Sequence, residues 1–313
     1  MMKCLIVDYM YDDIETLIRD VGMEPDYRPL ISRDEILGVI SNYEGLIIRS
    51  KTRVDKELID KATRLRFVAR AGAGIDNLDE ALLQQRSIAI LNAPEGNRNA
   101  VGEHCMGLLL SLLHNIVKSD TEVRQGIWDR EGNRGYELSG KTVGLIGYGF
   151  MGTSFAQKLK AFGCEVIFYD KYKLHASDGF ARQATMEELF ERVDVLSLHV
   201  PLTHETNGLV NEDYLSKFEK NIFFINTARG EVTKLSAIRY GLESGKIRGA
   251  ALDVLENEKI NKLSGEALDN FKYLINSNKT ILTPHVAGWS FESYKMINTV
   301  LIDKIKQEIN GNN

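Results

Sequence analysis

The chain has 313 residues, of which 43% are hydrophobic and 27% are charged, and this composition is typical of a globular protein with roughly two domains. Its formal net charge of −5 argues against nucleic acid or an anionic membrane as the main partner. The three cysteines are widely spaced and lack a CxxC motif, which argues against a disulfide framework or a metal site and favours a cytoplasmic location. The N-terminus does not have the pattern of a signal peptide.

Along the first part of the chain, short apolar strands alternate with amphipathic helices. This alternation predicts a parallel sheet of five strands that is doubly wound by helices. A capping box of Ser32 and Glu35 marks the start of one helix. Four of the strands can be placed, at Cys4–Asp8, Leu46–Arg49, Phe67–Arg70 and Ile88–Asn92, with helices over 12–21, 32–42, 54–61 and 78–86.

A second alternating series begins at residue 141 and predicts another doubly wound α/β domain. Between the two series, a mostly apolar helix is predicted from Ala100 to about Ser119, followed by a loop over Gln125–Gly140. Its most apolar stretch, from Met106 to Val117, is interrupted by polar residues and is too short to span a bilayer, and we expect the helix to be buried between domains or subunits. The last helix, Ser290–Asn310, follows a complete domain and is expected to return to the first one. The six strands of this series are predicted at Thr142–Ile146, Glu165–Tyr169, Val193–Val200, Asn221–Asn226, Gly249–Val254 and Thr280–Thr283.

The segment from Thr142 onward is an apolar strand that runs into a GxGxxG sequence and then a helix. In a dinucleotide-binding turn, Gly147 would permit the tight turn, Gly149 would let the backbone approach a pyrophosphate, and Gly152 would let the helix pack closely on the strand. An acid about 20 residues further on accepts hydrogen bonds from a ribose, and Asp170 fits this position. Its charge would repel a 2′-phosphate, so the sequence predicts NAD rather than NADP.

Charged side chains follow three strands of the second series, at the carboxyl ends where parallel sheets bind their ligands. Arg229, Glu258 and His285 each come after one of these strands. Together they would supply an anion anchor and an acid–base pair at one sheet edge. His199, at the end of another strand, is a rival for the proton transfer, whereas His104 on the long helix is expected to be structural.

Seven motifs occur in an order that is specific to one protein family. They are Arg70–Asn77, Asn92–Asn97, Gly147–Gly152 with Asp170, His199–Thr203 with Thr206, Asn226–Gly230, Gly249–Val254 and Thr283–His285. Over nearly the whole chain, the sequence resembles the D-isomer-specific 2-hydroxyacid dehydrogenases. The resemblance implies a flavodoxin-like substrate-binding (lid) domain of residues 1–97 and 287–313, and a Rossmann NAD-binding domain of residues 98–286. It also implies a homodimer that acts on a small 2-hydroxy or 2-oxo acid with NAD as its cofactor.

The resemblance implies a role for each residue that matches a motif. Arg229 would bind the C1 carboxylate and the C2 oxygen of the substrate, His285 would exchange a proton with that oxygen, and Glu258 would raise the pKa of His285. The amides of Gly72, Ala73 and Gly74 would bind the substrate carboxylate, although spacing alone leaves a plain turn open. Cofactor contacts are implied for Gly147, Gly149, Phe150, Met151, Gly152, Asp170, Pro201, Thr206, Thr227, Ala228, Asp253 and Gly288.

The sequence departs from the family pattern at two positions. The family usually has Glu-Pro at the carboxylate partner of the histidine, but Glu258 is followed by Lys259. Glu256 is therefore a competing candidate, although the spacing from Arg229 favours Glu258. The second departure is Gly288-Trp289, where a bulky indole follows the usual small residue. Trp289 shapes either the substrate pocket or the packing of the hinge.

The identity of the hydroxy acid depends on three residues of the first domain. Arg49, Arg70 and Asn97 resemble the phosphoglycerate dehydrogenase branch, where such residues face the substrate phosphate. The sequence therefore favours a dehydrogenase of D-3-phosphoglycerate. If Arg49 instead belongs to a solvated basic face, the alternative is a glyoxylate or hydroxypyruvate reductase. Because the sequence ends at Asn313, we expect no C-terminal regulatory domain. An NAD-sensing co-repressor is a third hypothesis, and the complete set of catalytic side chains argues against it.

Overall fold

The structure is a computed structural model that describes residues 1–311. The chain divides into two compact units, and the first is built from both ends of the chain. Unit 1 comprises residues 1–98 and the chain from Trp289 onward, and unit 2 comprises residues 99–288. Each unit has one parallel sheet, with hydrophobic clusters on both of its faces.

Unit 1 is built on a sheet of five parallel strands. The strands are β1 (Met2–Ile6), β2 (Met23–Tyr27), β3 (Gly45–Ile48), β4 (Phe67–Arg70) and β5 (Ala89–Asn92), and the helices between them are α1 (Ile14–Asp20), α2 (Arg33–Val39), α3 (Lys56–Lys61) and α4 (Glu80–Gln85). Their order, β2-β1-β3-β4-β5, is that of flavodoxin-like folds. The capping box that starts α2 is present, with Ser32 and Glu35 each bonded to the backbone N–H of the other.

Strand β2 is the fifth strand of the predicted sheet, and its position has no clear signal in the sequence. Its sequence, MEPDY, is largely polar, and only Met23 is buried. The strand lies at an edge of the sheet, where Pro25 can be accommodated because one side of the strand needs no N–H donors. The usual apolar signal of a buried strand is therefore absent.

The prediction of a single helix over Ala100–Ser119 is wrong. Two helices, α5 (Pro94–Leu113) and α6 (Ile116–Arg124), meet at an angle of 62°. Asn115 lies between them with a φ of 53°, in the left-handed region that asparagine adopts more readily than most residues. Among the described residues no single helix is long and apolar enough to cross a membrane, and only this bent pair meets both criteria when its members are joined.

Unit 2 contains a sheet of seven parallel strands, one more than predicted. The strands are β6 (Thr142–Ile146), β7 (Glu165–Tyr169), β8 (Arg182–Gln183), β9 (Val195–Leu198), β10 (Ile222–Asn226), β11 (Ile247–Leu252) and β12 (Thr280–Leu282). The helices are α7 (Phe150–Leu159), α8 (Met186–Arg192), α9 (Glu212–Ser216), α10 (Leu235–Ser244) and α11 (Gly265–Asn276). The missed strand, β8, has two residues and is too short to show a pattern. The order β12-β11-β10-β9-β6-β7-β8 is the Rossmann order with one added strand, so the predicted fold class is confirmed.

The last helix, α12 (Phe291–Gly311), packs on the sheet of unit 1. Its buried residues Ile297, Leu301 and Ile305 belong to one hydrophobic cluster with Phe67 of β4. Gly96 allows this close packing, because a Cβ there would lie 2.8 Å from the Ile297 backbone. Unit 1 therefore needs the end of the chain to complete its core.

Candidate active site

The loop after β10 places Arg229 at the carboxyl edge of the unit 2 sheet. Buried Asn226 folds this loop, because its side chain accepts from the N–H of Ala228 at 3.0 Å and donates to the carbonyl of Arg229 at 3.0 Å. Gly230 has no space for a side chain, since a Cβ there would overlap the carbonyl oxygen of Leu255. The Arg229 guanidinium donates to the carbonyl of Ala228 at 2.7 Å. The arginine is thus positioned by the fold of its own loop.

His285 and Glu258 form an ion pair in the loops that follow β12 and β11. Nδ1 of His285 lies 2.8 Å from Oε1 of Glu258, and both side chains are about half exposed. The hydrogen bond to Glu258 raises the pKa of His285, although burial and the charge of Arg229 act in the opposite direction. Because Nδ1 is directed to Glu258, Nε2 is the nitrogen that can exchange a proton with a ligand.

Asp253 holds the loop that contains His285. Asp253 is buried, with 1% of the residue exposed, and its carboxylate accepts hydrogen bonds of 2.5 to 2.9 Å from the Thr283 hydroxyl and two backbone N–H groups. Burial acts to raise the pKa of Asp253, but these bonds and the contact with His104 outweigh it and lower the pKa. The backbone N–H of His285 also donates to the Asp253 carbonyl at 2.7 Å. His285 is held with a φ of 55°, which is uncommon for a residue with a Cβ.

The two rival residues from the sequence have other partners. His199 lies after β9 with Nε2 3.0 Å from the Ser197 hydroxyl, and burial lowers its pKa to about 4. Its imidazole is therefore neutral near pH 7 and is a poor proton donor. Glu256 forms an ion pair with Lys234 at 2.7 Å and accepts a hydrogen bond from the N–H of Leu235 at 3.1 Å. Its carboxylate is therefore not the partner of His285.

The turn between β6 and α7 has the geometry that a dinucleotide requires. Gly147 has a φ of 91°, and a Cβ there would lie 2.5 Å from the carbonyl oxygen of His199. A Cβ at Gly152 would overlap the carbonyl oxygen of Gly147, whereas Gly149 faces open space. Helix α7 begins at Phe150, so its positive end lies in the turn. These features fit the approach of a pyrophosphate.

Beside this turn lies a cavity of about 370 Å³, into which Asp170 faces. The two oxygens of Asp170 accept hydrogen bonds from the N–H groups of Tyr148 and Tyr172, at 2.9 and 3.0 Å. Each carboxylate oxygen keeps a further acceptor position for a ribose hydroxyl. The cavity therefore fits the adenosine half of NAD. The predicted cofactor residues that line it are Gly147, Gly149, Asp170, Pro201 and Thr206.

The other predicted cofactor residues lie in the turn and in the loops at the same sheet edge. Met151 follows Phe150 in the first turn of α7, and Gly288 ends the segment after β12. Thr227 and Ala228 are part of the loop that Asn226 folds, with the Thr227 hydroxyl 3.1 Å from the Cys105 sulfur. Because Asp253 is buried and bonded to its own loops, it positions the neighbouring backbone, and a direct cofactor contact stays a prediction.

Two charged residues that the sequence analysis did not single out also line the cavity. Lys171 donates to both carboxylate oxygens of Glu205, at 2.6 and 2.7 Å. Lys171 directly follows Asp170, and Glu205 lies beside Thr206, so their positions next to recognised motifs were the available signal. The contact between them joins two distant segments and has no local pattern.

Unit 1 contains the residues predicted to bind the substrate. Gly72 has a φ of 144°, and a Cβ there would overlap the guanidinium of Arg70, so this arginine crosses the loop directly over the glycine. Asn92 donates to the carbonyl of Ala73 at 2.7 Å, which fixes the Gly72–Gly74 loop against β5. The side-chain oxygen of Asn97 is buried and has no hydrogen-bond partner among the described residues. A ligand donor would satisfy it.

Arg49 lies directly after β3, and its guanidinium is stacked on aromatic rings of unit 1. It lies 4.2 Å from the ring centre of Trp289 and 4.9 Å from that of Tyr294. The structure therefore places Trp289 against a predicted substrate residue.

Comparison with known proteins identifies the family. Residues 106–287 match the family model for the D-isomer specific 2-hydroxyacid dehydrogenase, NAD binding domain. The chain belongs to this family. The match also confirms NAD as the predicted cofactor, which the glycine turn and the cavity beside Asp170 fit.

Several relatives are similar over most of the chain. A D-3-phosphoglycerate dehydrogenase of Methanocaldococcus jannaschii is 34% identical over 99% of this chain and 58% of the relative, so the chain spans a little over half the length of that relative. A hydroxypyruvate reductase of Thermotoga maritima is 32% identical over 89% of both chains. The crystal structure of a glyoxylate reductase from Paecilomyes thermophila has a TM-score of 0.87 at 25% identity, covering 98% of this chain and 95% of that one.

Proposed function

We propose that this protein is an NAD-dependent dehydrogenase of D-2-hydroxy acids, in which unit 2 binds the cofactor and unit 1 provides substrate-binding residues. The observation that carries this proposal is the 2.8 Å pair between His285 and Glu258, close enough to Arg229 for its charge to affect the histidine. It combines a proton donor of raised pKa with a cation that can bind an oxyanion. When bound, NAD supplies the hydride chemistry: it accepts a hydride in oxidation, and its reduced form returns one in reduction.

Each of the three side chains has one task in the proposed reaction. Arg229 binds the C1 carboxylate and the C2 oxygen, and it stabilises the negative charge that develops on this oxygen during reduction. His285 donates a proton from Nε2 to the C2 oxygen in reduction and accepts it from the hydroxyl in oxidation. Glu258 stabilises the imidazolium and orients the ring through Nδ1, so it is a positioning residue that acts through His285.

We propose D-3-phosphoglycerate as the preferred substrate, oxidised at C2 to 3-phosphohydroxypyruvate. The proposal is supported by Arg49 and Arg70, which lie at the ends of the adjacent strands β3 and β4. Each guanidinium can bind two phosphate oxygens at once through two parallel N–H groups. Relatives named D-3-phosphoglycerate dehydrogenase that align with nearly the whole chain point the same way. Hydroxypyruvate reduction is the second candidate, because the relative of that name matches this chain over most of both lengths.

A steady-state assay with phosphohydroxypyruvate, hydroxypyruvate and glyoxylate separates these candidates. The phosphorylated substrate should have the highest kcat/KM. Arg49→Ala should lower the ratio of kcat/KM for phosphohydroxypyruvate over hydroxypyruvate by roughly 10- to 150-fold, because a charged hydrogen bond contributes about 1.5–3 kcal/mol. Two results would contradict the phosphoglycerate proposal and favour the reductase. One is a wild-type preference for glyoxylate or hydroxypyruvate, and the other is an equal loss of activity of Arg49→Ala on phosphohydroxypyruvate and hydroxypyruvate.

We also propose that the protein is a cytoplasmic homodimer. Exposed apolar residues gather on α6 and the loop after it, and the residues are Ile116, Val117, Val123, Ile127 and Trp128, the last 80% exposed. An apolar surface of this kind is typical of an interface. The three free cysteines are consistent with a reducing compartment. Light scattering should give the mass of two chains, and Val123→Asp should shift it toward one.

A further inference from the structure

The backbone and side chain of Arg49 are both held in place within unit 1. Its N–H donates to the carboxylate of Asp8 at 2.6 Å, and its carbonyl accepts from the side chain of Asn77 at 2.8 Å. The guanidinium carbon lies over the rings of Trp289 and Tyr294, 4.2 and 4.9 Å from their centres, and one guanidinium N–H donates to the Tyr9 carbonyl at 3.4 Å. No carboxylate among the described residues forms an ion pair with the guanidinium; Asp8, whose carboxylate binds the backbone N–H of Arg49, acts on its charge only from a longer distance.

The two rings are held together by the start of α12. Ser290 and Ser293 cap the helix, each accepting at its hydroxyl from the N–H of the other, at 3.0 and 2.9 Å. Trp289 precedes the cap, and its ring packs on Tyr294 in the next turn with the ring centres 5.3 Å apart. This is the geometry of a hydrophobic staple. The same contact that starts the helix therefore presents two aromatic faces to Arg49.

We propose that Trp289 and Tyr294 are positioning residues that hold the Arg49 guanidinium as a receptor for the second anionic group of the substrate, a phosphate. The proposal rests on the proposed function, because it assigns the phosphate of that substrate to Arg49. A guanidinium stacked on aromatic rings keeps its plane fixed and its N–H edge available, which is the edge that binds two phosphate oxygens at once.

The properties of the two rings support a role beyond capping. Trp289 is 57% exposed, which is high for an indole whose only purpose is to pack on a helix. Tyr294 is in turn held by Tyr11, at a ring distance of 6.1 Å in an edge-to-face arrangement. Burial lowers the pKa of Arg49, but the guanidinium stays charged at any physiological pH. The aromatic cluster therefore desolvates a permanent cation without pairing it.

Two substitutions at Trp289 separate the positioning role from the staple. Trp289→Leu keeps an apolar contact for the helix start but removes the aromatic face, whereas Trp289→Phe keeps both. We expect Trp289→Leu to lower the kcat/KM ratio of phosphohydroxypyruvate over hydroxypyruvate by about 3- to 30-fold, through KM rather than kcat, given the strength of a desolvated cation–π contact. Trp289→Phe should restore most of the ratio, and thermal unfolding should be similar for both variants. A Leu variant with the wild-type ratio would show that the indole is a staple alone.

A binding experiment tests the receptor without turnover. The chain has two tryptophans, so Trp128→Phe leaves Trp289 as the only indole. Titration of this variant with inorganic phosphate should change the Trp289 emission, and the change should disappear when Arg49→Ala is added. Absence of the change, or its persistence without Arg49, overturns the receptor even if phosphorylated substrates are preferred. An Arg49-dependent change in a protein that prefers unphosphorylated 2-oxo acids supports the receptor and rejects the proposed substrate.

Discussion

The two sheets of this protein present arginines at their carboxyl ends in different ways. In unit 2, Arg229 lies in a loop folded by the polar side chain of Asn226, near an ion pair between Glu258 and His285. In unit 1, Arg49 is held by aromatic faces. The first arrangement is made of hydrogen bonds and compensating charges, and the second leaves a cation without an acidic partner among the described residues.

The difference follows from what each site has to do. A group that exchanges protons needs a defined pKa, and the hydrogen bond to Glu258, together with the charge of that carboxylate, raises the pKa of His285. A receptor for a permanent anion needs no titration, and a carboxylate paired with the Arg49 guanidinium itself would compete with the ligand. Aromatic rings fix the plane of the guanidinium without this competition. Four substitutions test this division, ordered from the largest to the smallest expected effect on turnover.

Replacement of the proton donor should have the largest effect. His285→Ala should lower kcat by about 10²- to 10⁴-fold, the usual contribution of general acid–base catalysis. NADH affinity, measured by titration, should be largely retained, because His285 does not line the cavity beside Asp170. If this variant turned over substrate at nearly the wild-type rate, the assignment of proton transfer to His285 would be wrong.

Removal of the acid in the cofactor cavity should have the next largest effect. Asp170→Ala loses hydrogen bonds to the ribose worth about 1.5–3 kcal/mol, so NAD should bind at least about tenfold more weakly. NADP should lose less or even improve, because the repulsion of its 2′-phosphate is also removed. Dissociation constants for both cofactors provide the measurement. An equal loss for the two would mean that Asp170 only holds the N–H groups of Tyr148 and Tyr172.

The ion pair of unit 2 should be visible as a shift in pH dependence. Glu258→Gln removes the group that raises the pKa of His285, so the pKa should fall. The protonated imidazole is then lost at lower pH, and the pH profile of reductive kcat/KM should decline at lower pH than in the wild type. In the oxidative direction, which needs the neutral ring, activity should appear at lower pH. Glu256→Gln is the matched control, because Glu256 pairs with Lys234 and should leave both profiles in place.

Much of the architecture could be predicted from local sequence. Strands β4, β6 and β7 have the predicted bounds, because each is a short apolar run between turn signals. The glycine turn and Asp170 were recognisable for a similar reason, since their spacing is set by one strand–helix–strand unit. Edge strand β2 has no apolar run, and a single residue, Asn115, turns one expected helix into two.

The parts of the site that could not be predicted depend on contacts between distant segments. The sequence left open whether Trp289 shapes the pocket or the hinge, and only the return of α12 to unit 1 places it on Arg49. The bond between Lys171 and Glu205 likewise joins loops after two different strands. Side-chain partners of this kind are decided by the tertiary fold and leave no periodic pattern in the chain.

The smallest effect on turnover is expected where the aromatic cluster of unit 1 meets its core. Asn298 of α12 is fully buried, and its side chain donates to the carboxylate of Asp13 at 2.6 Å and to the carbonyl of Tyr11 at 3.1 Å. Asn298→Ala leaves both acceptors without this donor, which should destabilise unit 1 by about 1–3 kcal/mol. Tyr11 contacts Tyr294, so the substitution loosens the support of the rings without touching the guanidinium.

Unfolding and binding measurements together locate this effect. Unfolding of unit 1 should shift to lower temperature or denaturant concentration, whereas NADH titration should give the wild-type dissociation constant, because the cofactor cavity lies in unit 2. Asn42→Ala, at an exposed position of the same unit, is the matched control and should change neither quantity. If Asn298→Ala weakened NADH binding as strongly as it destabilised the fold, the two units could not be treated as separate in stability. The polar site around His285 and the aromatic site around Arg49 could then not be treated as properties of two independent units.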